Sequence, residues 1–203
     1  GDLLEGVGGV RAGIIGEIGT GREVHPDELK VLKASAHAGV ATGAAIQVHT
    51  YPWARNGLQI VDYLLENGAA PDKIVICHAD VALDEDYILG LLGKGVYAQF
   101  DNFGKEFKPD VSPDSFAGGP FAADAARVAL IRRLLDAGFE RRLLLTTDVC
   151  LKCLLKKHGG GGYSHVPGNV AAMLRGEGVT EASMKILLVD NPARMLDTRG
   201  SRP

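Results

Sequence analysis

The sequence predicts an α/β protein whose strands form one parallel sheet, open or closed into a barrel, with helices packed outside it. Two observations carry this. Short apolar runs alternate with amphipathic helical stretches along the whole chain. The runs are apolar throughout, as in strands buried on both faces, rather than alternating with polar residues. The glycines, 27 of 203 residues, agree with many short loops: Gly43, Gly68 and Gly138 fall just after helical stretches, where a left-handed cap is wanted.

In order, "AGIIGEI" (12–18) reads as a first strand. "HPDELKVLKASAHAGVATG" is a helix with Leu29, Leu32, Ala36 and Val40 on one side, Pro26 in its first turn, and Asp27 and Glu28 at its positive end. "AAIQVHT" is a second strand. "NGLQIVDYLLENG" is a helix with Leu58, Val61, Leu64 and Leu65 on one face. "KIVICH" is a third strand, and "LDEDYILGLLGKG" a helix capped near Asp84. "VYAQFD" is a fourth strand, followed by a long polar loop over 105–120. "FAADAARVALIRRLLDAGF" is a strongly amphipathic helix and "RRLLLTTD" a fifth strand. A glycine-rich loop, "HGGGGYSH", and two helices, 167–178 and 180–196, complete the chain. No break in composition divides residues 1–203, so a single domain is expected.

Composition excludes several classes. Apolar residues make up 46% and charged residues 23%, with a net charge of -3, which does not fit a basic nucleic-acid surface. No apolar run reaches the ~20 residues of a membrane span. The opening residues lack the pattern of a signal peptide. Three cysteines suit a reducing cytoplasm better than a disulfide framework.

The strands share one feature: they end in Glu17, His49, His78, Asp101 and Asp148, separated by 32, 29, 23 and 47 residues. In a parallel sheet these ends lie on one face, where α/β folds bind ligands. Imidazoles and carboxylates gathered there would be costly to bury without partners. Divalent metal ions supply such partners, and this donor set suits Zn, Mn, Fe or Co.

Other residues carry weaker signals. Cys150 and Cys153 form a lone C-x-x-C, expected to be structural or incidental, and Cys77 is expected in the core. Tyr51 and Trp53 follow His49 and either line a pocket mouth or pack. Arg55 is a candidate to steer an anionic group. Tyr163 and His165, in the glycine-rich segment, either touch substrate or sit on a surface loop, as does His158. His25 and His37 are placed on a helix away from the strand ends.

The motifs "GVRAGIIGEIGTG", "VHT", "IVICHAD", "FDNFG", "LLLTTD" and "VDNPARML", in this order, resemble the phosphotriesterase-related family of the amidohydrolase superfamily. The resemblance implies a (β/α)8 TIM barrel, here about five βα units plus C-terminal helices, a partial barrel lacking the first three units. It implies a metal-dependent hydrolase in which two ions, expected to be Zn, activate water against an ester, lactone or phosphotriester of a small-molecule substrate. Glu17 would bridge the ions, His49 and His78 would bind the exposed one, and Asp148 would bind the buried one and take the proton from water. Homodimers are common in the family. The family's His-x-His pair is absent from these residues, and its proton relay is matched by Asn102 and Val81, which favours a lactonase or other esterase over a true phosphotriesterase. The alternative is a barrel that binds a small hydrophobic ligand without turnover.

Overall fold

The computed structural model describes residues 1–106 and 120–198. Most of the polar loop expected over 105–120 lies outside them. Strands and helices alternate as expected: β1 (Ile14–Gly19), α1 (Pro26–Thr42), β2 (Ala45–His49), α2 (Gly57–Glu66), β3 (Ile74–Ile76), α3 (Glu85–Gly93), β4 (Tyr97–Phe100), α4 (Asp124–Asp136) and β5 (Leu143–Leu145). Each strand pairs in parallel with the next, in the order β1-β2-β3-β4-β5. Sequential order without reversal is the pattern of a barrel, whereas a doubly wound sheet switches direction.

Local chemistry explains the helix starts. His25 is the N-cap of α1 rather than a helical residue: its Nδ1 accepts from the Asp27 amide at 3.2 Å, and Glu28 reaches back to the His25 amide at 2.7 Å. Asp84 caps α3 by accepting from the Tyr87 amide at 3.0 Å. The two C-terminal helices are present but each contains a wider π turn: Val166–Val170 leads into α5 (Ala171–Gly176), and Ile186–Asp190 joins α6 (Glu181–Lys185) to α7 (Asn191–Leu196).

The sheet buries its two faces differently. Ile46, Val48, Ile74, Ile76, Ala98, Phe100 and Leu143 pack outward into the main core with the helices. The alternate residues Ala45, Val75, Tyr97 and Leu144 form a smaller inner layer, closed by Met195 of α7. Further along the same inner face the residues turn polar. Gln47 Nε2 donates to Gln99 Oε1 at 3.1 Å, and beyond them stand the strand ends. Strand β3 is shorter than expected because the backbone turns at His78, which takes φ 59.

β1 carries a bulge. Its register against β2 shifts between Ile15 and Ile18, so Gly16 and Glu17 lie opposite Gln47 alone. Gly16 has φ 130, and a Cβ there would lie 2.3 Å from the Gln47 carbonyl oxygen, so only glycine fits. The Gly16→Ala variant should therefore lose about 2 kcal/mol or more of stability, the scale of other backbone-incompatible substitutions. Urea denaturation followed by circular dichroism measures this, and an unchanged midpoint would remove the bulge from the account of how Glu17 is placed.

Candidate metal centre

The bulge on β1, the last residue of β2 and the turn after β3 bring Glu17, His49 and His78 together. One ligand atom from each lies within 4.8 Å of the others. The Nε2 atom of His78 is 2.8 Å from His49 Nδ1 and 3.5 Å from Glu17 Oε1, and His49 Nδ1 is 3.8 Å from Glu17 Oε2. Ligand atoms on one tetrahedral zinc ion stand about 3.4 Å apart, and these separations bracket that value. His78 is buried, while His49 and Glu17 are partly open. The centre is thus anchored on one side and accessible on the other.

A buried layer fixes His78. Asp101 holds it twice: the His78 amide donates to Oδ2 at 3.0 Å, and the ring Nδ1 lies 2.8 Å from Oδ1. Asp101 also accepts from Gln99 Nε2 at 2.8 Å and Asn102 Nδ2 at 2.7 Å. Asp80 accepts from the Asp101 and Asn102 amides, from Asn102 Nδ2 at 2.8 Å, and from Arg127 Nε at 2.7 Å. Arg127 and Asp80 are fully buried. A carboxylate behind a metal-facing imidazole fixes the ring's tautomer and direction.

The charges follow from this packing. Burial works against protonating His78, but the carboxylates of Asp101 and Glu17 outweigh it and raise its pKa to about 9. His49 is lowered, first by burial and then by His78. Burial would raise Asp101, but the charge and hydrogen bonds of His78 hold it below the usual carboxylate range. The raised pKa of His78 favours its protonated form when no metal is bound, with Nδ1 2.8 Å from Asp101 Oδ1 and Nε2 2.8 Å from His49 Nδ1.

Asp148 stands apart from this trio. It lies beyond the end of β5 at φ 38, and its field reaches both histidines. Its Oδ2 accepts from Lys105 Nζ, which also donates to Asn102 Oδ1 at 3.1 Å. The Lys105 side chain is only 5% exposed. Backbone conformations at positive φ collect on this face: among the described residues the non-glycine cases are Arg55, His78, Leu83 and Asp148, all in loops after strands. Such conformations are enriched at functional sites.

The structure also sorts the weaker candidates. Cys77 is buried in the core, while Cys150 and Cys153 are exposed free thiols. Arg55 pairs with Asp84 at 3.1 Å. Tyr51 lies under Arg22, whose guanidinium carbon is 5.1 Å from its ring. Trp53 is half-buried, and His37 and His158 are exposed. His165 faces inward, its Nε2 2.7 Å from Asp124 Oδ2 and its Nδ1 3.0 Å from Asn169 Nδ2, so both ring nitrogens are engaged away from the trio. Tyr163 is 76% exposed. Asn102, at the relay position, binds Asp80, Asp101 and Lys105 instead, and Val81 is buried.

Sequence reasoning missed Lys105, Arg127 and the bracing role of Asp101. Arg127 had a signal. It shares the buried stripe of α4 with Leu130, Ile131 and Leu134, where a charge needs a buried partner. Lys105 offered only its place in the loop after β4.

Parallel strands in sequence order, with a histidine and carboxylate cluster toward their C-terminal ends, define a TIM-barrel framework carrying a candidate metal site. The chain belongs to the phosphotriesterase family, whose family model matches residues 2–196. N-acetyltaurine hydrolase of Homo sapiens is 35% identical over 204 residues, covering 96% of this chain and 56% of the relative. A resiniferatoxin-binding protein from Rhodobacter sphaeroides superposes with a TM-score of 0.89 at 33% identity, covering 97% of this chain and 54% of the other. The phosphotriesterase homology protein of Escherichia coli, solved with phosphate in its active site, gives a TM-score of 0.84 at 30% identity over 97% and 64% of the two chains. The chain spans about half the length of the relatives it matches. Among the described residues, no helix is long and apolar enough to cross a membrane.

The donor set fits a divalent ion, and the raised pKa of His78 gives a measurable consequence. Binding at His78 Nε2 must expel the proton that the raised pKa favours there, whereas the lowered pKa of His49 leaves it less of a proton to release. Zinc affinity should rise about tenfold per pH unit as pH increases below about 9 and level off above it. Calorimetry in buffers of different ionisation enthalpy counts the released protons, and a pH-independent affinity would refute the raised pKa. Replacing the brace, Asp101→Asn, should weaken zinc binding by roughly 10–100-fold while His78 itself remains. Equal affinity in the variant would reduce Asp101 to a packing residue.

Proposed function

We propose that the protein is a divalent-metal hydrolase of small molecules in which water attacks a carbonyl or phosphoryl centre. The convergence of Glu17, His49 and His78 within 4.8 Å at the strand ends carries this reading. A bound ion supplies Lewis-acid polarisation of the substrate oxygen and a water that is nucleophilic at neutral pH. Glu17 contributes the negative charge, His49 forms the open side, and Asp101 keeps His78 directed at the centre. Asp148, on the same face, takes the proton from the attacking water. It is also the carboxylate that this chain offers to a second ion, as the two-metal site implied by the family resemblance would require.

The substrate reading rests on bond type. The relatives named N-acetyltaurine hydrolase act on an amide by their name, which joins carboxamides to the esters and lactones expected from sequence. The Asn102 side chain is committed to three hydrogen bonds and Val81 has no acidic group, so a histidine–aspartate relay for phosphotriesters has no counterpart at these positions. A second reading, binding of an apolar ligand without turnover, draws on the likeness to the resiniferatoxin-binding protein.

The test is steady-state hydrolysis by protein loaded with zinc or manganese, using lactones, aryl esters, N-acyl amides and phosphotriesters. Ester, lactone or amide turnover should exceed phosphotriester turnover. Asp148→Asn should lower kcat by about 10²–10⁴-fold, the usual contribution of a general base, with metal content recorded on the same samples. Full metal loading with no turnover anywhere on the panel would favour the ligand-binding reading.

A further inference from the structure

Lys105 is a nearly buried cation that neither the sequence motifs nor the reading above assigned a purpose. The turn in which the Lys105 amide donates to the Asn102 carbonyl at 3.1 Å sends its side chain back toward β5. There its Nζ donates to Asp148 Oδ2 and Asn102 Oδ1, 6.0 Å from the Phe121 ring centre. A buried ammonium needs a carboxylate, and Asp148 fills that need. Glu17, by contrast, turns toward the two histidines.

We infer that Lys105 competes with metal for Asp148 and thereby sets the order in which this site loads. The strand-end carboxylates fall into two sets. Glu17, with His49 and His78, receives the first ion without help from Asp148. A further ion reaches Asp148 only by displacing the Lys105 ammonium, because two cations on one carboxylate repel each other and a displaced Lys105 loses its buried counter-ion. Lys105 is therefore a positioning residue: it holds Asp148 as an oriented carboxylate beside the first ion. The inference rests on the metal reading proposed above, but its readout is metal binding and not turnover.

The experiment is calorimetric zinc titration of the 203-residue chain at neutral pH, with metal counted after desalting. The unaltered chain should take one equivalent. Asp148→Asn should change that affinity by less than about threefold, whereas Glu17→Gln, which removes a ligand of the trio, should weaken it by at least about tenfold. Lys105→Met, close in volume and uncharged, should add a second equivalent or tighten binding by about tenfold or more, since it frees a carboxylate and removes a repelling charge. Lys105→Arg, which keeps the charge, should behave as the unaltered chain. In the double variant Lys105→Met with Asp148→Asn the gain should vanish, which a purely structural lysine would not produce.

Two results would overturn the inference while leaving the metal reading intact. One is Lys105→Met titrating like the unaltered chain. The other is Asp148→Asn costing as much affinity as Glu17→Gln, which would mean that Asp148 already serves the first ion. Absence of zinc binding in the folded unaltered chain would overturn the metal reading and this inference together. Circular dichroism reports whether each variant folds. Should Lys105→Met not fold, Lys105→Gln, also uncharged, is titrated in its place with the same two outcomes.

Discussion

The carboxylate of Asp101 grips His78 by both its backbone amide and its ring, and the geometry of the strand-end face depends on that grip. The amide bond draws the chain out of the β3 ladder and into its positive-φ turn. The ring bond directs Nε2 at His49 and Glu17. One residue thus shapes the backbone and aims the side chain together. The cost is a fully buried carboxylate, which is tolerable only when its hydrogen-bonding capacity is filled. Gln99 and Asn102 fill it from the side, and the charge of His78 completes the pair.

The same requirement propagates outward. Asn102 is oriented by Asp80, Asp80 is neutralised by Arg127, and Arg127 is further bonded to Asp124 at 3.3 Å and to the Ala122 carbonyl. Its guanidinium carbon lies 6.0 Å from the Phe103 ring centre. Asp124 in turn holds His165 and the Gly104 amide. A path of buried and partly buried hydrogen bonds therefore runs from a candidate metal ligand to helix α4 and the glycine-rich segment. Removing one partner from such a buried ion pair typically costs about 3–5 kcal/mol, so the network resists piecemeal change.

The sheet explains why this polar assembly sits at one end. Helices cover the outer face, and the inner face is apolar at Ala45, Val75, Tyr97 and Leu144 with Met195 beneath them. Polar groups begin at Gln47 and Gln99 and increase toward the C-terminal ends. The inner face thus changes from packed floor to chemical surface over a few residues, which lets the fold bury hydrophobic area while keeping a charged centre next to solvent.

The sequence alone determined the alternation of elements, the parallel sense of the strands and the residues near their ends, because these depend on local periodicity and on the repeated placement of a polar residue after an apolar run. Glu17, His49 and His78 were legible in that way, and Asp101 was visible as a strand end without its role. The register of the bulge at Gly16, the turn at His78 and the pairings of Asp101 with His78, Asp80 with Arg127 and Lys105 with Asp148 were decided only by the tertiary structure. These pairs join residues 23, 47 and 43 positions apart, and no local pattern ties such distant charges together. Which carboxylate meets a histidine and which meets a lysine depends on how neighbouring strands and loops stack in space.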